Sequence, residues 1–419
     1  KMDKELLKQV LIEQNSKSIK PDLIKRDIFH KIKSAFNNNF IIIISGVRRC
    51  GKSTLLDQIR TDHDGYYVNF DDERLINFEI SDFQTMYELL IELFGEKNTF
   101  FFDEIQNIKG WERFVRRLHD EGQKIFITGS NASMLSKELG THLTGRHLSY
   151  SLYPFSFIEF IRFKNQKIPD LNKITSKEKS KIEKLFREYL TKGGFPEYLK
   201  TNEEDYLKNT YENIIYRDII SRYNLPNEKT IKETALYAAS NISKEISFNK
   251  IKNLLNLTSA TTVKEYFEYL NNTYLAFLIP RYDASLKKQI YYNKKMYFID
   301  AGMAKSIGFR PSHDFGRMVE NLVFLKLKKE NQSIVESIYF HKDKHECDFV
   351  LRKGIKIVYA IQVTKKLGKN KERELSGLIE AMQKYKLKQG LILTEDDEDI
   401  IKINNKQIII KPVWKYLIQ

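Results

Sequence analysis

Residues 41–56, IIIISGVRRCGKSTLL, constrain the fold of this chain more than any other stretch. The isoleucines form a short apolar run that reads as a strand covered on both faces. It leads straight into Gly46-Val47-Arg48-Arg49-Cys50-Gly51-Lys52-Ser53-Thr54, after which a helical pattern begins. A strand, a glycine-bracketed loop and a helix start in that order match the phosphate-binding loop. Its glycines let main-chain N–H groups wrap a polyphosphate, and the helix N-terminus adds its dipole. Residues 46–54 are therefore the expected cradle for a nucleoside triphosphate, ATP, with Lys52 reaching the β- and γ-phosphates and Ser53 ligating Mg2+.

Three further apolar runs, GYYVNF, NTFFFDE and KIFITGS, alternate with helical patterns between residues 40 and 150. The alternation predicts an α/β fold built on a parallel sheet. The second run ends in paired carboxylates. Asp103 is expected to hold Mg2+ through water, and Glu104 to orient or deprotonate the attacking water.

A chain of 419 residues has room for roughly two to four domains. Its mean hydropathy of −0.47 and the lack of a long uncharged apolar run predict no membrane span. No export signal is expected, and with Cys50 and Cys347 the only cysteines a disulfide framework is excluded; both features point to the cytoplasm. The net charge of +15 suits a polyanionic partner such as nucleic acid or an anionic membrane surface, although heavy use of Lys, Ile and Asn throughout also follows from genomic base composition.

From about Lys177 to Tyr223 the pattern is helical, broken by KGGFPEYL at 192–199. Residues 227–300 give short helices, of which SFNKIKNLL and SATTVKEYFEYL each open at a serine cap and suggest a helix-turn-helix. On the second, Val263, Phe267, Leu270 and Tyr274 form the expected buried stripe and leave Lys264 outside with Glu265 and Glu268. Arg281, Lys287, Lys288, Lys294 and Lys295 follow, interleaved with Tyr282, Tyr291 and Tyr292. That mixture suits phosphate and sugar more than base edges, so Lys264 and these five cations are candidate DNA contacts of low sequence specificity. The alternative is a surface packed on the first domain or on a protein partner.

Taken together, GVRRCGKSTLL, NFDDERL, FFDEIQN, ITGSNASML, LTGR, YPFSFIEF, GGFPEYL and YRDI resemble the motifs of prokaryotic AAA+ ATPases that append a winged helix and a C-terminal restriction-endonuclease-like domain. The resemblance runs from about Ile24 to the C-terminus. It implies a P-loop AAA+ parallel-sheet core at 1–165, a helical lid at 166–226, a winged-helix domain at 227–310 and a restriction-endonuclease-like α/β domain at 311–419. It also implies that Ser130 or Asn131 senses the γ-phosphate and that chains assemble into an oligomer, while the Gly-Gly-Phe-Pro stretch resembles the Gly-x-Pro element of signal-transduction ATPases, which implies that Gly194 and Pro196 pack near adenine. Arg146 is the first candidate for an arginine finger and Arg217 the second, because a fixed, permanently charged fork suits the charge that develops on the transferred phosphoryl group. Ordinary salt bridges for the arginines, and a simple helix-breaking turn at Gly194, are the alternatives.

In the implied C-terminal domain, Asp348 on ECDFVL matches the first metal-binding acid, and Glu320 the acid supplied by the preceding helix. The next strand, IKIVYAIQV, departs from the family's Glu-x-Lys, with Gln362 in place of Glu and Thr364 in place of Lys. An amide supplies a dipole without charge, so affinity for a hard cation falls. Glu320, Asp348 and Gln362, with Glu346 nearby, are thus expected to form a degenerate nuclease site. The leading functional expectation is an ATP-hydrolysing AAA+ protein acting on duplex or branched DNA, with turnover coupled to remodelling or movement. The alternatives are a nucleotide-dependent signalling switch or assembly platform that binds protein, and an ATP-controlled nuclease.

Overall fold

The structure, a computed structural model, describes residues 2–19, 23–131, 143, 145–307, 315–331, 336–368, 371–403 and 405–419. Residues 132–135 of ITGSNASML and Thr144 of LTGR lie outside the described residues. The chain divides into two compact units, Lys1–Tyr153 and Pro154–Gln419.

In the first unit, β1 (Ile41–Gly46), β2 (Tyr66–Asn69), β3 (Thr99–Asp103), β4 (Lys124–Gly129) and β5 (His147–Leu152) form a sheet in the order β2-β3-β4-β1-β5, every pair parallel. The four apolar runs become the four strands from β2 to β1. β5, HLSYSL, lies at the edge, and its mostly part-exposed residues carry no apolar run that would announce a strand. Ile41–Ile44 and Phe100–Phe102 are buried because helices cover both faces. On one face Ile41, Ile43, Phe100 and Phe102 pack with Leu89, Leu90, Trp111 and Val115; elsewhere Phe101 stacks on Phe126 at 5.1 Å. Since β1 has β4 on one side and β5 on the other, the loop after it opens at a switch in strand order, where α/β sheets leave a crevice at their carboxyl ends.

The other edge is closed without a strand. Helix Lys4–Ser16 places Asn15 Oδ1 3.0 Å from Tyr67 N and Asn15 Nδ2 2.9 Å from Tyr67 O. Gln14 does the same at Asn69, accepting from its N–H at 2.8 Å and donating to its carbonyl at 3.2 Å. Two side-chain amides thereby satisfy main-chain groups of β2 that would otherwise invite pairing with another chain.

The second unit opens with helices Phe157–Phe163, Ser176–Lys192, Pro196–Thr201 and Glu204–Asn213, the last running into a π-helical segment, Ile214–Ser221, that carries Arg217. Between them Gly194 sits where a Cβ would meet Phe155 O at 2.4 Å, and its N–H donates to Asp300 Oδ2 at 2.7 Å. Pro196 opens the next helix, a position that needs no N–H donor.

Helix Glu228–Ser240, β6 (Glu245–Ile246), helices Phe248–Leu254 and Ala260–Asn272, β7 (Ala276–Pro280), helix Leu286–Tyr291 and β8 (Lys294–Phe298) follow, with the strands antiparallel in the order β6-β8-β7. Val263, Phe267, Leu270 and Tyr274 are buried, as the helical spacing predicts. Helix Phe315–Glu330 leads to a second sheet of β9 (Glu336–Lys342), β10 (Glu346–Lys353), β11 (Lys356–Val363), β12 (Gln389–Thr394), β13 (Asp399–Ile403) and β14 (Lys406–Pro412), in the order β13-β14-β12-β11-β10-β9. β9, β10 and β11 form an antiparallel meander, and helix Lys371–Lys384 crosses over to β12, parallel to β11. β13 and β14 extend the sheet beyond β12. Among the described residues no helix is long and apolar enough to cross a membrane.

Candidate nucleotide site

The loop begins where β1 ends. A Cβ on Gly46 would lie 2.1 Å from Leu152 O, so the close approach of β5 admits only glycine there. Arg49 (φ 66°) and Gly51 (φ 99°) are left-handed, and such turns curl main-chain N–H groups into the concavity that binds anions. Cys50 is buried, donating to Leu152 O at 3.4 Å, and burial raises its thiol pKa. Arg26 braces the loop from within, giving Nη1 to Cys50 O at 2.8 Å and Nη2 to Tyr153 O at 2.6 Å. Val47 is buried, Arg48 stands 3.9 Å from Asp71, and Ser53 and Thr54 are exposed at the start of helix Lys52–Arg60.

Lys52 is 4% exposed. Its Nζ donates to Gly46 O at 3.2 Å and Val47 O at 3.4 Å, and lies 3.2 Å from Glu104 Oε1. Burial is the largest single influence and works to deprotonate it, but the charge and hydrogen bond of Glu104 together with Cys50 and Asp103 outweigh burial and the pKa is raised. For Glu104 burial pushes upward, whereas Lys52, a hydrogen bond from Gln106 and the charge of Arg48 bring the carboxyl down to about 2. Asp103 goes the other way. Burial, then the neighbouring Glu104 charge, raise it against hydrogen bonds from Ser53 and Thr128.

Thr128 on β4 ties the two carboxylates together. Its hydroxyl donates to Asp103 Oδ1 and accepts from Glu104 N at 3.0 Å, while Tyr67 OH donates to Asp103 Oδ2 at 3.1 Å. Glu104 has φ 52°, a left-handed backbone that costs a non-glycine residue about 1–3 kcal/mol and persists only where neighbours enforce it. Gln106 Nε2 donates to Glu104 Oε2. Thr128 and Tyr67 escape sequence reading because only the folded sheet brings them to the acids, whereas Gln106 is local, two residues after Glu104; Thr128 in fact lies inside the KIFITGS run, two residues before Ser130. Ser130 and Asn131, both buried, follow β4, and Ser130 Oγ has no hydrogen-bond partner among the described residues. The donors suit a hard divalent ion: the Ser53 hydroxyl is already hydrogen-bonded to the buried Asp103 carboxylate.

Arg146 sits at the opposite rim. Its carbonyl accepts from Ile41 N at 2.8 Å at the amino end of β1, roughly 16 Å of strand away from Gly46. Its Nη2 lies 3.5 Å from Asp120 Oδ1, so on its own chain it makes a salt bridge and does not reach the loop. Gly194, Pro196 and Arg217 belong to the second unit and have the local settings described above.

Of the six candidate DNA contacts, Lys264, Lys287 and Lys288 are exposed. The other three depart from expectation. Arg281 pairs with Asp343 at 3.0 Å and lies 4.3 Å over the Tyr292 ring. Lys294 turns onto the carbonyls of Gln289 and Ile290, and burial lowers its pKa. Lys295 is buried against Glu320, Glu346 and Asp348, which removes it from any external phosphate. The reason is strand alternation: neighbours in β8 point to opposite faces, so both members of Lys294-Lys295 do not share one surface. Gln362 has both ends of its amide engaged, accepting from Asp348 N at 3.3 Å and donating to Glu374 Oε2 at 2.7 Å. His341, Asp343 and Glu380 bring ligand atoms within 4.8 Å of one another, but Asp343 is already neutralised by Arg281 and by Lys384 at 2.6 Å.

Residues 38–161 match the family model described as AAA domain, and residues 183–313 and 315–416 match two domains of unknown function, DUF8612 and DUF4143. The uncharacterized protein MJ1544 of Methanocaldococcus jannaschii is 35% identical over 99% of this chain and 96% of its own length. An uncharacterized protein of Haemophilus influenzae is 31% identical over 90% of this chain and 94% of its own. Among solved structures, the Walker-type ATPase PABY2304 of Pyrococcus abyssi is similar at 17% identity and a TM-score of 0.44, over 70% of this chain and 97% of that one. With its phosphate loop and paired carboxylates inside the matched region, this chain carries a P-loop ATPase domain of the AAA type and belongs to the family of the M. jannaschii protein MJ1544.

Proposed function

We propose that the chain hydrolyses Mg-ATP at the centre formed by Lys52, Asp103 and Glu104, and spends the turnover on DNA held by its second unit. One observation carries the hydrolytic part: the Glu104 carboxyl group is held in left-handed backbone, with its Oε1 3.2 Å from the phosphate-loop lysine. Mg2+, when bound, would be held by Ser53 and Asp103 and would neutralise charge on the phosphate oxygens. The chain's own groups do the rest. A triphosphate seated on the N–H groups of residues 46–54 competes for the Lys52 ammonium. As Lys52 turns towards it, Glu104 loses the strongest contact that depresses its pKa and becomes a better base towards water. Gln106 keeps the other carboxylate oxygen fixed, and Ser130 with Asn131 offers polar groups at the end of β4 to read the γ-phosphate.

In this reading Thr128 orients both acids, so Thr128→Val, which keeps the volume and removes both hydrogen bonds, should cost about 10–100-fold in Mg2+ affinity or turnover. Nucleotide binding in the presence of EDTA should stay near the parental level. A parental Mg2+ dependence of hydrolysis in this variant would remove Thr128 from the mechanism.

Arg146, remote from its own loop, would serve as a finger only for the nucleotide of a neighbouring copy, which makes self-assembly part of the proposal. Mixing Arg146→Ala with Lys52→Ala chains, each inactive alone, should restore part of the turnover. No recovery in chains shown to mix leaves Arg146 with its Asp120 salt bridge alone.

In the second unit we take residues 166–226, Gly194 and Pro196 included, as a helical lid, residues 227–310 as a winged helix and residues 311–419 as a restriction-endonuclease-like fold. Exposed Lys264, Lys287 and Lys288, with exposed Leu286, Ile290 and Tyr291 on the β7–β8 connection, support contacts to phosphate and sugar. The same apolar side chains favour a second reading, a nucleotide-dependent switch that docks a protein. Changing Lys264, Lys287 and Lys288 to Glu should weaken DNA binding about equally for all sequences. It should also flatten the slope of log K against log salt by roughly 2–3 units. No DNA binding at low salt, with an ATPase rate indifferent to every form of DNA, would select the protein-docking switch.

A further inference from the structure

β8 delivers Lys295 into a cage of acids. Its Nζ lies 2.7 Å from Asp348 Oδ1, 2.8 Å from Glu320 Oε1 and 2.9 Å from Glu346 Oε1, and 3% of the side chain is exposed. An ammonium group has three donors, and each carboxylate takes one. The acids are anchored in turn. Asp348 Oδ2 accepts from Val363 N at 2.8 Å, Glu320 Oε1 accepts from Tyr297 OH at 2.8 Å, and Lys342 stands 3.6 Å from Glu346 Oε2. The three acids come from two segments, Glu320 from the helix Phe315–Glu330 and Glu346 with Asp348 from β10, while the cation comes from the small β6-β8-β7 sheet.

We propose that the Lys295 ammonium is the resident cation of this centre: it fills the position a divalent ion would take among Glu320, Glu346 and Asp348, and closes that position to Mg2+ and Mn2+. Three oxygens already converge on one point at hydrogen-bonding distance, and a metal ion would need the same oxygens at shorter range. Two cations do not share one such cage. Gln362 adds nothing for a metal, since its oxygen is spent on Asp348 N and its nitrogen on Glu374. The centre therefore fastens β8 to β10 and helix Phe315–Glu330, and the metal chemistry latent in its acids is blocked from inside the chain. This inference stands on the geometry of the second unit alone and is independent of ATP hydrolysis.

Mn2+ binding to the full chain without nucleotide, read from the paramagnetic resonance signal of free Mn2+, tests it. The parental and Asp348→Asn chains should bind Mn2+ identically. Lys295→Met, which keeps the aliphatic stem, should gain one bound Mn2+ that is lost again in Lys295→Met/Asp348→Asn, and Lys295→Arg should gain none. Mn2+ binding by the parental chain that disappears in Asp348→Asn overturns the proposal, as does a folded Lys295→Met chain that gains no ion. A measurement on the parental chain alone guards against misfolding of the variant. Under acetic anhydride Lys295 should stay unmodified while Lys287 and Lys288 react, and acetylation of Lys295 at the rate of Lys287 also overturns the proposal.

Discussion

Burying an ammonium group costs several kcal/mol unless carboxylates answer it, and the first unit is organised around one such group. Lys52 lies under the loop it belongs to, against Glu104, and everything that places Glu104 follows from the sheet. β4 separates β3 from β1, so Thr128 stands where one hydroxyl reaches the Asp103 carboxylate and the Glu104 N–H. The strained backbone of Glu104 is tolerable because those contacts enforce it. Packing of Gly46 against β5 and the grip of Arg26 on Cys50 O then fix the loop over the acids.

The second unit repeats the problem with a different outcome. Lys52 is answered by one carboxylate at 3.2 Å and two carbonyl oxygens at 3.2 and 3.4 Å, an arrangement that an incoming polyphosphate can outcompete. Lys295 has three carboxylates at 2.7, 2.8 and 2.9 Å. One buried lysine is poised to change partners, and the other is locked. The difference lies in the number of acids and their distance, not in the residue type.

The phosphate loop and the Asp103-Glu104 pair are legible in the sequence because their chemistry is local: contiguous residues on one loop, and adjacent residues at the end of one strand. The continuous apolar runs likewise announce β1 to β4, since a strand covered on both faces needs no polar positions. What stays hidden depends on contacts across long separations. β5 is an edge strand whose polar, part-exposed residues mask it. Gln14 and Asn15 read as ordinary helix-surface amides until β2 lies beside them. Lys295 reads as part of a basic patch although its partners lie 53, 51 and 25 positions further on. Alternation along KKMYF carries a signal that one lysine of the pair faces inward, but only the fold supplies the acids that make an inward lysine possible.

In the mechanism we propose, Glu104 turns a bound nucleotide over while Lys52 and the loop hold it. ATP binding and phosphate release, measured side by side for the parental chain and Glu104→Gln, test it most directly. Mg-ATP affinity should be comparable for both chains, and the phosphate-release rate about 10²–10⁴-fold lower in the variant. Release at the parental rate by Glu104→Gln, or a parental chain that binds Mg-ATP and releases no phosphate, would contradict it.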